Sequence, residues 1–264
     1  MEATITAPPQ PRASSARLRM TGRQQSLVGV ALILVLLPIV FRMDRDKFWP
    51  FTELAIWGFL AQGVLTVLVV SLAAILLSLP IAVALALGRL SARAGLRLPC
   101  IALVEGIRAI PLLLLIFYVF LSMPREVQVL FSRETLALTL ALMIYTAAIN
   151  AETLRAGILA LDRGQMDAAR SLGLTYAAAV RAVILPQAFR NTLPPLIAQF
   201  TTLVKDTSLG SVIAMVELLQ RGVIIYQGFR NPMETLYVVA LIYFLLNFLM
   251  EQASLATQRS TQAR

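Results

Sequence analysis

The stretch "GQMDAARSLGLTYAAAVRAVILPQAFRNTLPP", Gly164 to Pro195, is a polar interruption between two apolar runs. From Gln165 to Leu172 the residues favour helix, with Met166, Ala169 and Leu172 on one face and Asp167 and Arg170 on the other. Gly173 stands where a helix stop in the left-handed conformation wants a glycine. Thr175 can then cap a second helix, Tyr176 to Leu185, which Pro186 interrupts or ends. Helices of about two turns are not stable alone in water, so this pair must dock against something.

The surroundings explain why the interruption stands out. The chain has 264 residues, 58% of them hydrophobic and 14% charged, with a mean hydropathy of +0.78. An average soluble domain carries about 25% charged residues. The apolar residues gather into six runs of near-spanning length, roughly 26–41, 59–87, 99–123, 136–156, 193–219 and 236–256. The expectation is an all-α, polytopic transmembrane helix bundle. Residues 1–25, with Pro8, Pro9, Pro11 and four arginines, are expected to be a disordered basic tail. The run at 26–41 follows as an extra N-terminal span, since no small-residue cleavage site comes after it.

Orientation follows from arginine and lysine in the short loops. With the N-terminus in the cytoplasm, fourteen fall inside (the tail, Arg89 to Arg97, Arg155 to Arg190 and the C-terminal 257–264) and seven outside. Both termini and the quoted stretch are therefore expected on the cytoplasmic side. The net charge of +9 is read as a topology signal, not as a nucleic-acid-binding surface, because no aromatic-interleaved basic patch accompanies it.

Several chemistries are excluded. There is no histidine and only one cysteine, Cys100, which removes intrachain disulfides, Cys/His metal sites and His-dependent catalysis. Neither lysine sits in a phosphate-binding loop: Lys47 lies in "DRDKFW" and Lys205 in "TLVKDTS". A driving force has to come from another subunit or from an ion gradient.

Charges inside the spans are costly and mark candidate sites. Glu105 with Arg108, and Glu152 with Arg155, share a three-residue spacing that puts each pair on one helix face. Each pair reads either as a structural ion pair or as part of a translocation path, with Arg108 favoured because it precedes Pro111. Lys205, Asp206, Thr207 and Ser208 add a polar patch to the fifth run, as interhelical glue or as a lining for an amino-acid zwitterion. Glu217 and Arg221 lie near the outer end of the span and read as a solvated rim, with contact to a docking protein as the alternative.

By periodicity alone, the quoted stretch could be an ordinary loop with an interfacial helix. Asp167, Ala168 and Ala169, then Gly173, then Val183, Leu185 and Pro186 resemble the EAA loop of the membrane subunits of ATP-binding-cassette importers. Asp167 stands where Glu is usual there, and Val183 where Ile is usual. "AETLRAGI", "ILPQAFRNTLPP", "LVKDTSLGSVIAMVELL" and "EGIRAIPLLLL" narrow the resemblance to the polar amino-acid branch. The resemblance implies a type I importer permease in a bacterial inner membrane, with a five-helix domain over 58–256 and an EAA loop at about 157–192. It implies a coupling helix carrying Gln165, Asp167, Ala168, Ala169, Arg170, Gly173, Leu185 and Pro186. The implied partners are a dimer of ATPase subunits holding ATP and magnesium, a second permease of the same or a homologous kind, and an extracytoplasmic amino-acid-binding protein. This chain itself would hold no cofactor or metal, and would carry a polar amino acid, glutamate or aspartate first. Another polar or basic amino acid is the alternative within the family. From other classes, a gradient-driven carrier lacks the inverted repeats it would normally have, and a membrane-embedded enzyme lacks its acid–base groups.

Overall fold

The computed structural model describes residues 43–126, 131–162 and 164–262, with side chains to residue 252. The chain divides into a unit at 1–44 and a second at 45–264, and every element below belongs to the second. The basic tail and the run at 26–41 lie outside the described residues, as do Arg163 and the side chains of 257–264.

Among the described residues, a 3₁₀ turn at Arg45–Thr52 is followed by nine helices: α1 Leu54–Arg89, α2 Ala94–Ala109, α3 Leu112–Ser122, α4 Arg133–Leu159, α5 Gly164–Ser171, α6 Tyr176–Ala179, α7 Leu185–Asp206, α8 Leu218–Phe229 and α9 Pro232–Gln262. A π turn at Val180–Ile184 joins α6 to α7, and a 3₁₀ turn at Thr207–Ile213 follows α7. No strand occurs among the described residues. Three helices, α1, α4 and α9 as far as Gln252, are long and apolar enough to cross a bilayer. The count reaches five if the bent pair α2–α3 and the pair formed by 176–213 with α8 are each one span.

Those two bends depart from the continuous runs expected at 99–123 and 193–219. Between α2 and α3 the axis turns by 104°. Pro111 has no amide hydrogen to donate and forces the residue before it out of the helical region; Ile110 is extended, at φ −83 and ψ 130. The second bend, 48°, follows Ala214, which sits at φ 58 in the left-handed region. Pro186 differs in the opposite sense, because it neither ends nor interrupts its helix. The wider π turn just before it bonds Leu185 N–H to the Val180 carbonyl. Loosening the ladder at that point makes room for a ring that would otherwise meet the carbonyl one turn back. The helical path therefore runs from Tyr176 to Asp206 without a loop, and the fifth run starts well before Leu193.

The centre of the bundle is α4. Ala137, Ala141, Ala147, Ala148 and Ala151 are all essentially inaccessible, and such small side chains let helix backbones come close where lipid supplies no hydrophobic drive. Against α4 pack Val70, Ala74, Ala82 and Ala86 of α1, Leu115 and Ile116 of α3, and Val104 of α2. A second core joins Leu60 and Val67 of α1 to Leu218 and Ile225 of α8 and Val239 of α9. Leu65, Leu72 and Leu76 of α1, with Phe244, Leu245 and Phe248 of α9, point outward, an apolar exterior suited to a hydrocarbon surround. Arg133 closes the end of α3, donating to the carbonyls of Phe120 at 2.6 Å and Met123 at 3.0 Å.

One contact sets how closely α4 and α7 approach. A Cβ built on Gly157 would run into the Thr192 methyl group. Gly157→Ala is expected to destabilise the bundle by about 1–3 kcal/mol through overpacking, read as a lower Tm in detergent. Adding Thr192→Ser, which removes that methyl, should restore most of the loss; an unchanged Tm for the single variant would contradict this packing.

Candidate functional site

Where α1, α2 and α4 meet, five charges form one cluster. Glu152 takes the Arg155 guanidinium on both oxygens, at 2.6 and 3.0 Å. Arg89, at the last turn of α1, reaches Glu105 at 2.8 Å and Glu152 at 3.0 Å. Arg108 completes the set with a longer contact of 3.4 Å to Glu105. The two same-helix pairs expected from the sequence are present, and a third arginine joins them into a single network. Arg89 was legible only as a loop charge, since no motif marks it and its partners lie on other helices.

Beside the cluster opens a cavity of about 780 Å³ on the faces of α4 and α7, within the ordinary range of small-molecule sites. Arg108 and Glu152 form its charged wall, and Tyr145, Thr153, Asn191 and Thr192 supply further polar groups. Arg155 stands behind Glu152 and is not part of the lining. Asn191 and Thr192 carried no signal, since they fall in "AFRNTLPP" just before the run read at 193–219, among other polar residues.

The patch at 205–208 lies elsewhere, where α7 passes into its 3₁₀ turn. Lys205 is exposed and Asp206 half-buried, while Thr207 is fully buried and donates its hydroxyl to the Val204 carbonyl at 2.8 Å. Ser208 donates likewise to the Lys205 carbonyl at 2.7 Å. Both hydroxyls close a helix end, and none of the four residues lines the cavity.

Glu217 corrects the expectation of a solvated rim. It is inaccessible to solvent, accepts the Leu219 and Gln220 amides at 2.7 and 2.9 Å, and takes the Tyr243 hydroxyl at 2.9 Å. A carboxylate there satisfies amides that the start of α8 would otherwise leave unpaired. Arg221 sits over the Phe59 ring, 4.4 Å from its centroid, and donates to Gln62 at 3.1 Å.

The hairpin of α5 and α6 is the other candidate region. Gly173 adopts φ +84. Its amide bonds the Arg170 carbonyl at 2.9 Å, and the Leu174 amide bonds that of Ala169 at 3.3 Å. This paired pattern is a Schellman stop. No atom crowds Gly173, so backbone conformation alone calls for glycine. Thr175 caps α6 through Ala178 N–H at 3.3 Å. Gln187 of α7 donates to Gln165 of α5 at 3.2 Å, tying the hairpin to the long helix. Ala169 is buried against the chain, whereas Asp167, Ala168 and Arg170 are exposed. Leu172, read on one face with Met166 and Ala169, is 83% exposed because α5 ends at Ser171 and the stop turns it outward. Beyond the hairpin, Leu185 is half-buried and Pro186 exposed.

A bundle of broken and continuous apolar helices, carrying an exposed helical hairpin and a charged cavity, defines a polytopic membrane transport subunit. Residues 78–260 match the model of the binding-protein-dependent transport system inner membrane component family, and the chain belongs to that family. The glutamate transport system permease protein GluD of Corynebacterium glutamicum is 32% identical, over 84% of this chain and 82% of its own length. The probable glutamine ABC transporter permease protein GlnP of Bacillus subtilis is 39% identical over 58% of this chain and 70% of its own. Among solved structures, an amino acid ABC transporter with histidines matches with a TM-score of 0.71 and 29% identity, over 83% of this chain and 99% of that one. These relatives bear out the resemblance to the amino-acid branch of ATP-binding-cassette permeases. The chain is thus an inner-membrane transport component, not an enzyme, and it works with a separate ATPase subunit.

Glu217→Ala is expected to lower stability by about 1–2 kcal/mol, as loss of a helix cap leaves buried amides unpaired, with Tyr243→Phe costing less. A Tm for Glu217→Ala equal to that of the wild type would return this residue to a solvated role.

Proposed function

We propose that this permease carries a polar amino acid inward, with glutamate or aspartate as first candidates, and that α5–α6 is the coupling element that docks on a dimer of ATPase subunits. The ATPases hold ATP and magnesium, and this chain holds no cofactor. A second permease, the same or homologous, completes the pathway, and an extracytoplasmic binding protein delivers the cargo. The domain runs over 58–256 of a bacterial inner-membrane protein, with both termini and the hairpin in the cytoplasm.

The observation that carries the coupling reading is continuity. The exposed residues Asp167, Ala168 and Arg170 sit on a hairpin locked by Gly173, and that hairpin leads through the π turn into α7, which presents Asn191 and Thr192 to the cavity. A push on the hairpin therefore reaches the cavity wall along one helix, with Leu185 and Pro186 at the junction.

Cargo charge rests on the five-member cluster. Three arginines face two carboxylates, which leaves one positive charge in excess, and Arg108 is the member on the wall with only a long contact. Such a group favours an anion in a medium of reduced dielectric. Glutamine, carried in the name of one relative, also bears an α-carboxylate but no net charge, whereas glutamate and aspartate are net anions, so the excess charge favours the acidic cargo. Lys205 to Ser208, away from the cavity, are assigned to holding the end of α7.

Two measurements test this reading. Pull-down from detergent should recover an ATPase subunit with the wild type and lose it with Gly173→Trp while the variant stays folded; no association under any condition would defeat the coupling assignment. In proteoliposomes holding the full complex, Arg108→Gln is expected to reduce glutamate uptake about tenfold or more, the scale of one lost charge-assisted contact. Uptake at the wild-type level would remove Arg108 from the path.

A further inference from the structure

Arg89 has no place in the lining of the cavity, yet it touches both carboxylates of the cluster. Its side chain is only 9% exposed. One nitrogen, Nη2, lies 2.8 Å from Glu105 Oε1 and the other, Nη1, 3.0 Å from Glu152 Oε2. The second contact is an ion pair outside hydrogen-bond alignment, since Nη1 and Nε have no hydrogen-bond acceptor. A planar fork can span two acids on different helices, which a lysine ammonium does poorly.

The accounting of contacts follows from these positions. Glu152 is held by Arg155 and Arg89, and Glu105 is held by Arg89 at a shorter distance than by Arg108. Two arginines therefore satisfy two carboxylates, and Arg108, 39% exposed on the cavity wall, is the one cation of the cluster with no short contact. Removing Arg89 would leave Glu105 with Arg108 as its sole partner in the cluster, three residues away on the same helix face. The excess positive charge would vanish with it.

We infer that Arg89 is a specificity-determining positioning residue: by holding Glu105 and Glu152 from behind the wall, it keeps Arg108 available to the side-chain carboxylate of an acidic substrate. This rests on the reading of the cavity as the path of an acidic amino acid. Arg89 never meets the substrate, so its removal should cost charge discrimination and leave neutral cargo alone.

The test is equilibrium binding of L-glutamate and of its neutral isostere L-glutamine to the purified permease–ATPase complex, without the binding protein, whose own selectivity would mask the effect. The wild type should prefer glutamate. Arg89→Gln should weaken glutamate about tenfold and leave glutamine within about twofold, and Arg89→Gln with Glu105→Gln, which restores the excess charge, should recover glutamate to within about threefold. An equal loss for both ligands, or no recovery in the double variant, overturns the inference while leaving the cavity reading intact. A wild type with no preference for glutamate sinks the cavity reading and this inference together. Should Arg89→Gln fail to fold, Arg89→Lys is read in the same way: an ammonium that holds one acid at a time should weaken glutamate about threefold and spare glutamine, and unchanged glutamate binding overturns the inference.

Discussion

The close approach of α1 and α4 is the constraint on which the rest of the molecule depends. Two helices in an apolar surround gain nothing from excluding water, so they associate only as tightly as their side chains let the backbones come. The alanines of α4 permit that approach along most of the helix, and two of the three cores are built on the resulting spine. The same alignment brings the end of α1 beside Glu152, so that Arg89 meets both acids. Shifting that end by one residue would turn the guanidinium about 100° away from them. The charged site is thus a consequence of the small-residue packing that runs up to it at Ala86 and Ala151.

The sequence made some parts of this legible and hid others for physical reasons. Hydropathy located the apolar runs because burial in lipid is a property of windows, not of single residues. The Gly173 stop and the Thr175 cap were readable because each rests on local backbone chemistry. Prolines were not read reliably: Pro111 breaks its run and Pro186 does not, since the result depends on whether neighbouring turns can widen, which no residue type encodes. Arg89 was missed because its role is set by groups far along the chain, Glu105 and Glu152. Glu217 was misplaced instead: its cap on Leu219 and Gln220 is local, but its burial beside Tyr243 is a tertiary fact. Glu105 with Arg108 and Glu152 with Arg155 were visible because a three-residue spacing is a local fact, whereas their union into one cluster is a tertiary one.

The bends and the cavity have a common basis. A span that ran straight through Pro111 would carry α3 away from α4, and the face of α4 now buried by Leu115 and Ile116 would be left to other partners. The turn of 104° lays α3 back across the bundle, and Arg133 fixes it there through two carbonyls at its end.

The π turn at Val180–Ile184 has a geometric consequence for how this chain can vary. Such a turn holds one residue more than the α-helix it interrupts, and each helical residue turns the chain by about 100°. Everything after Ile184 is therefore out of phase with everything before Val180. The hairpin and the cavity-facing residues of α7 belong to one continuous rod but keep separate rotational registers. Sequence change on the docking side can alter which face meets a partner without rotating Asn191 and Thr192 from the cavity. Loss of a single residue within the turn would do the reverse, carrying both away while leaving every side chain of the hairpin unchanged.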